Sequence, residues 1–153
     1  MKLFLTIISL VAVLAFTSGA MAAGSNTLTV TAAVAGTCRF VSATSTLAFG
    51  SLDPSVGTDA NASGSTTFWC TKGTTESISA NNGASWDGTK RNMLDSVSGD
   101  LIPYTLTLTP DGNPNAGPGS PRTLAIAGTV LGTDYTAKSA GSYTDTVTLS
   151  ITP

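Results

Sequence analysis

The chain has 153 residues, with seven Lys or Arg, nine Asp or Glu, no His and a formal net charge of −2. Charged residues make up only 10%, against roughly 25% in an average soluble domain, and Thr, Ser, Gly and Asn take their place. A weakly acidic, Lys-poor surface excludes nucleic acid as a partner, since that affinity comes from phosphate neutralisation, and the lack of histidine excludes Ser-His-Asp and Cys-His catalytic centres.

Residues 1–22 read as a secretory signal peptide. Lys2 supplies the positive start, Leu3 to Phe16 carry no charge, and Ala20-Met21-Ala22 fits the small-x-small cleavage rule, with cleavage expected after Ala22 or Ala23. The apolar stretch is short for a membrane span. Residues 23–36 follow as an arm. Gly24 and Ser25 form a small polar tip, after which Leu28, Val30, Ala32 and Val34 alternate with Thr27, Thr29 and Thr31. That period of two predicts a strand near Thr27–Val34, which the residues alone read as an ordinary first strand.

From residue 37 onward, β-branched residues and short-spaced turn residues predict an all-β sandwich. Strands are expected near Ser45–Leu52, Ser65–Cys70, Thr75–Ala80, Pro103–Thr109, Arg122–Ala127, Thr129–Thr136 and Ser142–Thr152. The breakers DPSVG (Asp53–Gly57), NNG (Asn81–Gly83) and DGNPNAGPGSP (Asp111–Pro121) separate them. RNMLDSV (Arg91–Val97) has the character of a single helical turn. In the last segment Tyr143, Val147, Leu149 and Ile151 share one face and threonines the other.

Little in this sequence can carry out chemistry. Export, an even count and the absence of His favour a disulfide between Cys38 and Cys70 over a metal site. No cofactor is expected and no enzymatic activity. Asp53, Asp87 and Asp111 precede Pro or Gly in turn contexts, where a carboxylate bonds its own backbone. DANASG (Asp59–Gly64) matches the early positions of a calcium loop, but Cys70 stands where the bidentate Glu belongs, so the stretch reads as a turn. Asn61-Ala62-Ser63 is a formal glycosylation sequon. Trp69 and Trp86 are candidates for a sugar platform, with packing the plainer account of both.

Four stretches carry a resemblance. CRF…LAFGSLDP (Cys38–Pro54), FWC (Phe68–Cys70), RNMLDSVSGDLIPYTLTLTPDG (Arg91–Gly112) and AGSYTDTVTLSITP (Ala140–Pro153) occur in order. Together they resemble the spore coat protein U domain family over roughly Leu28 to Pro153. The resemblance implies an immunoglobulin-like sandwich, residues 37–153, made with one strand missing and completed by a donor strand from another subunit. It implies a structural subunit of an archaic, Csu-like chaperone–usher pilus, exported through the periplasm to the cell surface and serving attachment and biofilm formation. Its partners would be homologous pilus subunits, a periplasmic chaperone and an outer-membrane usher. The arm, residues 23–36, then becomes the donor through Leu28, Val30, Ala32 and Val34, and Tyr143, Val147, Leu149 and Ile151 line the acceptor groove. Ala32 and Ala33 make the middle of the arm small, where a donor strand normally fills pockets. The alternatives are a self-contained carbohydrate-binding sandwich and a minor or tip subunit.

Overall fold

The computed structural model describes residues 23–153; the expected leader, residues 1–22, lies outside them. Contacts divide the chain into Met1–Ala33 and Val34–Pro153. In the first unit the described residues, 23–33, have neither helix nor strand and are exposed throughout.

The second unit is built from antiparallel strands: β1 (Cys38–Phe40), β2 (Ala60–Cys70), β3 (Ser77–Ala80), β4 (Arg91–Asp95), β5 (Leu101–Pro110), β6 (Arg122–Val130), β7 (Tyr143–Thr144) and β8 (Leu149–Thr152), with one helical turn, α1 (Gly132–Tyr135). Six strands form a sheet in the order β1-β2-β6-β5-β4-β7, and β3 pairs with β8 in a second, two-stranded sheet. The pleat sorts the side chains. On β6, Arg122, Leu124, Ile126, Gly128 and Val130 are buried while Thr123, Ala125 and Ala127 are exposed, and β5 alternates likewise from Tyr104 to Thr109.

The small sheet covers one end of the large one. Phe68, Cys70 and Leu124 are fully enclosed there, packed by Phe40, Ile78, Leu108, Leu149 and Ile151. Cys38 and Cys70 face each other across β1 and β2 and are bridged. A polar staple closes the same end. The buried guanidinium of Arg122 bonds Glu76 at 2.6 Å, Asp111 at 2.9 Å and Asn115 at 3.2 Å, and lies 5.1 Å above the Phe68 ring. Asn115 in turn donates to Glu76 and to the Thr74 carbonyl, so the long loop after β5 is tied to the segment leading into β3. A second core, Ile102, Val130 and Tyr135, sits at the opposite end, and the Tyr135 hydroxyl donates to the Thr58 carbonyl.

Several expected elements take other forms. Thr27–Val34 and Ser45–Leu52 alternate but belong to no strand. The strand expected over Thr129–Thr136 is the end of β6, which stops at Val130 before α1. Gly132 there passes so close to Gly57 that a β-carbon would collide with the Gly57 carbonyl, so only glycine fits where the chain leaves the strand. RNMLD is strand β4 and not a helical turn. It buries the polar Asn92 and Asp95, whose side chains bond Ser85, Lys90 and Ser98, so its apolar pattern carries no strand signal. DANASG is not a turn: Ala60–Gly64 open β2. Ser142–Thr152 is not one strand: β7 pairs with β4 and β8 with β3, leaving residues 145–148 between them.

Candidate functional site

Between the two cores a groove crosses the inner face of the large sheet. Its floor is β4, β5 and β6, through Met93, Tyr104, Leu106 and Ile126. One wall is the segment running from Phe40 to Pro54, and the other runs from Lys138 to Leu149. The walls are antiparallel. Ser42–Ser45 lie opposite Thr146–Leu149 around a cavity of about 330 Å³, Ser45–Phe49 opposite Tyr143–Val147 around one of about 270 Å³, and Leu47–Leu52 opposite Ser139–Tyr143 around one of about 710 Å³.

Two glycines place the first wall. A β-carbon on Gly64 of β2 would stand 2.6 Å from the Thr46 carbonyl oxygen, and one on Gly128 of β6 would meet Leu47 and Phe49 at 2.8 and 3.0 Å. Glycine inside a strand here permits another backbone to lie against the sheet. Leu47 and Phe49 are half-buried and Ala48 and Gly50 exposed, the alternation of a strand, which breaks at the exposed Ser51 before the half-buried Leu52. Yet among the described residues no hydrogen bond involves the backbone of residues 45–52.

The second wall repeats this. Tyr143, Asp145, Val147, Leu149 and Ile151 are all half-buried, alternating with exposed residues. Residues 145–147 have no main-chain partner: Thr146 N–H donates to the Asp145 carboxylate beside it, and only at Thr148 does bonding to Asn81 begin. Two extended segments with free donors and acceptors therefore flank an apolar floor. Unpaired backbone next to half-covered apolar side chains is a template for another strand.

A hydrogen-bonded polar layer crosses the groove at Tyr104 and Asp145. The Tyr104 hydroxyl donates to Asp145 Oδ2 at 2.5 Å, and Asp145 Oδ1 accepts from the Ala84 and Thr146 amides, both at 2.8 Å. Burial, then the Asp145 carboxylate, hold the Tyr104 hydroxyl well above its usual pKa, so it remains a donor. The Phe49 ring lies 6.2 Å from that of Tyr104.

Of the residues singled out from the sequence, Tyr143, Val147 and Leu149 line this groove, while Ile151 packs into the enclosed core beside Phe68. Leu28 and Val30 are each 82% exposed and Val34 is 86% exposed. Ala32 is exposed with them. The groove residues that sequence reasoning missed are Leu47, Phe49, Met93, Tyr104, Leu106 and Ile126. The half-period of LAFG was the available signal for the first two. The turn acids have the expected local bonds: Asp53, Asp87 and Asp111 accept from the amides of Ser55, Thr89 and Asn113. Trp86 borders a cavity of about 350 Å³ with Thr89, Lys90, Leu131 and Asp134, and Trp69 lies on β2 opposite Arg39. Among the described residues no group of His, Cys, Asp and Glu is placed to hold a metal.

The family model of the Spore Coat Protein U domain matches residues 25–150. No curated protein matches the chain. Among solved structures, the chain is similar to a chain of the CsuC-CsuE chaperone–tip adhesion subunit pre-assembly complex from archaic chaperone-usher Csu pili of Acinetobacter baumannii. The identity is 19% and the TM-score 0.49, over 77% of this chain and 40% of that one. The chain thus spans well under half the length of the solved chain it matches.

Proposed function

The chain belongs to the Spore Coat Protein U domain family, and on that premise we propose that it is a structural, non-catalytic subunit of a chaperone–usher pilus, assembled by donor-strand exchange. The observation that carries this reading is the groove itself: a lane between two extended segments that lack ladder partners, in a chain that also has an exposed, alternating apolar arm. Eight arm residues, Thr27–Val34, extend to about 26 Å, as do the eight residues 45–52 that flank the groove. Covering Leu28, Val30 and Val34 contributes a gross ~5–9 kcal/mol, opposed by the entropy of ordering the arm. That magnitude matches the whole stability of a domain this size.

In this reading residues 1–22 direct export, residues 23–36 are the donor arm and residues 37–153 the acceptor sandwich. A periplasmic chaperone fills the groove first, an outer-membrane usher presents the subunit, and the arm of a neighbouring subunit replaces the chaperone strand. The fibre then stands on the cell surface, where it supports attachment and biofilm formation. The test is polymerisation of the purified mature chain. Wild type is expected to grow into linear fibres on standing, and Val30→Asp, which puts a charge on the filling face, to remain unpolymerised with its disulfide intact. A wild-type chain that persists as a stable monomer, or a Val30→Asp chain that still builds fibres, would overturn the assignment.

A further inference from the structure

The wall from Tyr143 to Leu149 has a single polar inward residue and the arm a single small one, and these two irregularities are complementary. Along the wall from Tyr143 to Leu149 every inward residue is apolar except Asp145. Its carboxylate is engaged on both oxygens, by Tyr104 and by the Ala84 and Thr146 amides, and the Tyr104 and Phe49 rings crowd the same level. A Leu or Val laid over this layer would strip solvent from a carboxylate and press on two rings, both unfavourable. An Ala laid elsewhere would leave Leu106, Val147 or Leu149 half-covered, with a void above them.

We propose that the Asp145–Tyr104 layer sets the register of the inserted arm by accepting Ala32 of a second copy, in antiparallel sense to residues 143–149. The inference rests on the donor-strand reading above. With Ala32 at Asp145, the antiparallel direction places Val34 at Tyr143, Val30 at Val147 and Leu28 at Leu149, so every large arm residue meets an apolar one. The parallel direction places Leu28 at Gly141, which is exposed and offers no side chain. The root of the arm also bears on direction. Thr71 Oγ1 accepts from the Thr37 amide and donates to the Ala35 carbonyl, and a β-carbon on Gly36 would lie 3.6 Å from Pro153. An arm rooted beside Pro153 that entered its own groove directly would run parallel to the last strand. The antiparallel site is therefore matched to the arm of another molecule.

Paired cysteines in fibres of the mature chain test this. Leu28→Cys with Leu149→Cys is expected to give a ladder of covalent multimers on a non-reducing gel, and Val30→Cys with Leu149→Cys, which reports a slip of two residues, only monomers. The reverse result overturns the register and leaves donor exchange standing, as does a fibre that cross-links with neither pair. Covalently closed monomers in place of multimers, or no fibre from the wild-type chain, sink donor exchange itself. Independently, Ala32→Leu is expected to slow fibre growth by about tenfold or more while Val30→Leu stays within about threefold. Growth of Ala32→Leu at the wild-type rate overturns the role of the layer.

Discussion

One sheet face is finished differently at its disulfide end and across its middle. At the disulfide end, β3 and β8 cover β2 and β6, leaving Phe68 and Leu124 with no exposed surface. Further across the same face, Leu106 and Tyr104 of β5 face a gap and stay half-buried, because the segments beside them lie near the sheet without pairing. The sequence pattern is equally apolar in both places. The difference teaches that burial in a sandwich depends on a second layer being present, and that a sheet face with correct alternation still remains open where the segments over it do not pair.

Substitutions can break or sharpen this contrast. The largest expected effect is at the closed end: Phe68→Ala should lower the unfolding free energy of the single chain by about 3–5 kcal/mol, whereas Phe49→Ala in the groove wall should cost about 1–2 kcal/mol, since part of that ring already meets water. Urea titration of both variants as unpolymerised chains decides the matter, and equal losses would remove the distinction. Opening the cross-link with Cys38→Ser and Cys70→Ser should cost about 3–4 kcal/mol in the same measurement, with the groove geometry unaltered at its far end. Arg122→Met should cost about 3 kcal/mol, because it strands Glu76 and Asp111 without their partner.

Acid acts on the same staple. Burial pushes the Glu76 carboxyl up, but its bonds to Asn115 and Arg122 outweigh this and hold it below its ordinary 4.5. The Thr123 amide, then Arg122, hold Asp111 below its ordinary 3.8. Both groups are more acidic folded than unfolded, so their stabilisation is complete above those ordinary values and is lost as pH falls through the depressed ones. Stability is therefore expected to be level between about pH 5 and 8 and to drop below about pH 4, with a shallower drop in Arg122→Met. Thermal unfolding across that range checks it. The smallest expected change is Val30→Asp measured in the unpolymerised chain: an exposed position should alter stability by under about 0.5 kcal/mol, although the same substitution is expected to abolish fibres.

Much of the architecture was legible because the strand signal is local. Thr105, Thr107 and Thr109 alternating with Leu106 and Leu108 announce β5 without reference to any other part of the chain, and Cys38 with Cys70 announces the cross-link. What failed depended on contacts far away in sequence. Gly64 looked like turn punctuation and is a strand residue, left bare so that Thr46 can pass over it. Asn92 and Asp95 belong to a stretch that reads as a helical turn and are buried in a strand, because Ser85, Lys90 and Ser98 satisfy them.

Alternation by itself determined that residues 47–50 and 143–152 turn one face inward, since a pleated chain directs successive side chains to opposite sides whatever lies next to it. Only the tertiary structure decided which of those residues find a neighbouring backbone. Tyr143, Thr144 and residues 149–152 do, while residues 45–52 and 145–147 do not. A hydrogen-bonding partner is a property of the assembled sheet and not of the segment, and here two segments are left bordering an open lane.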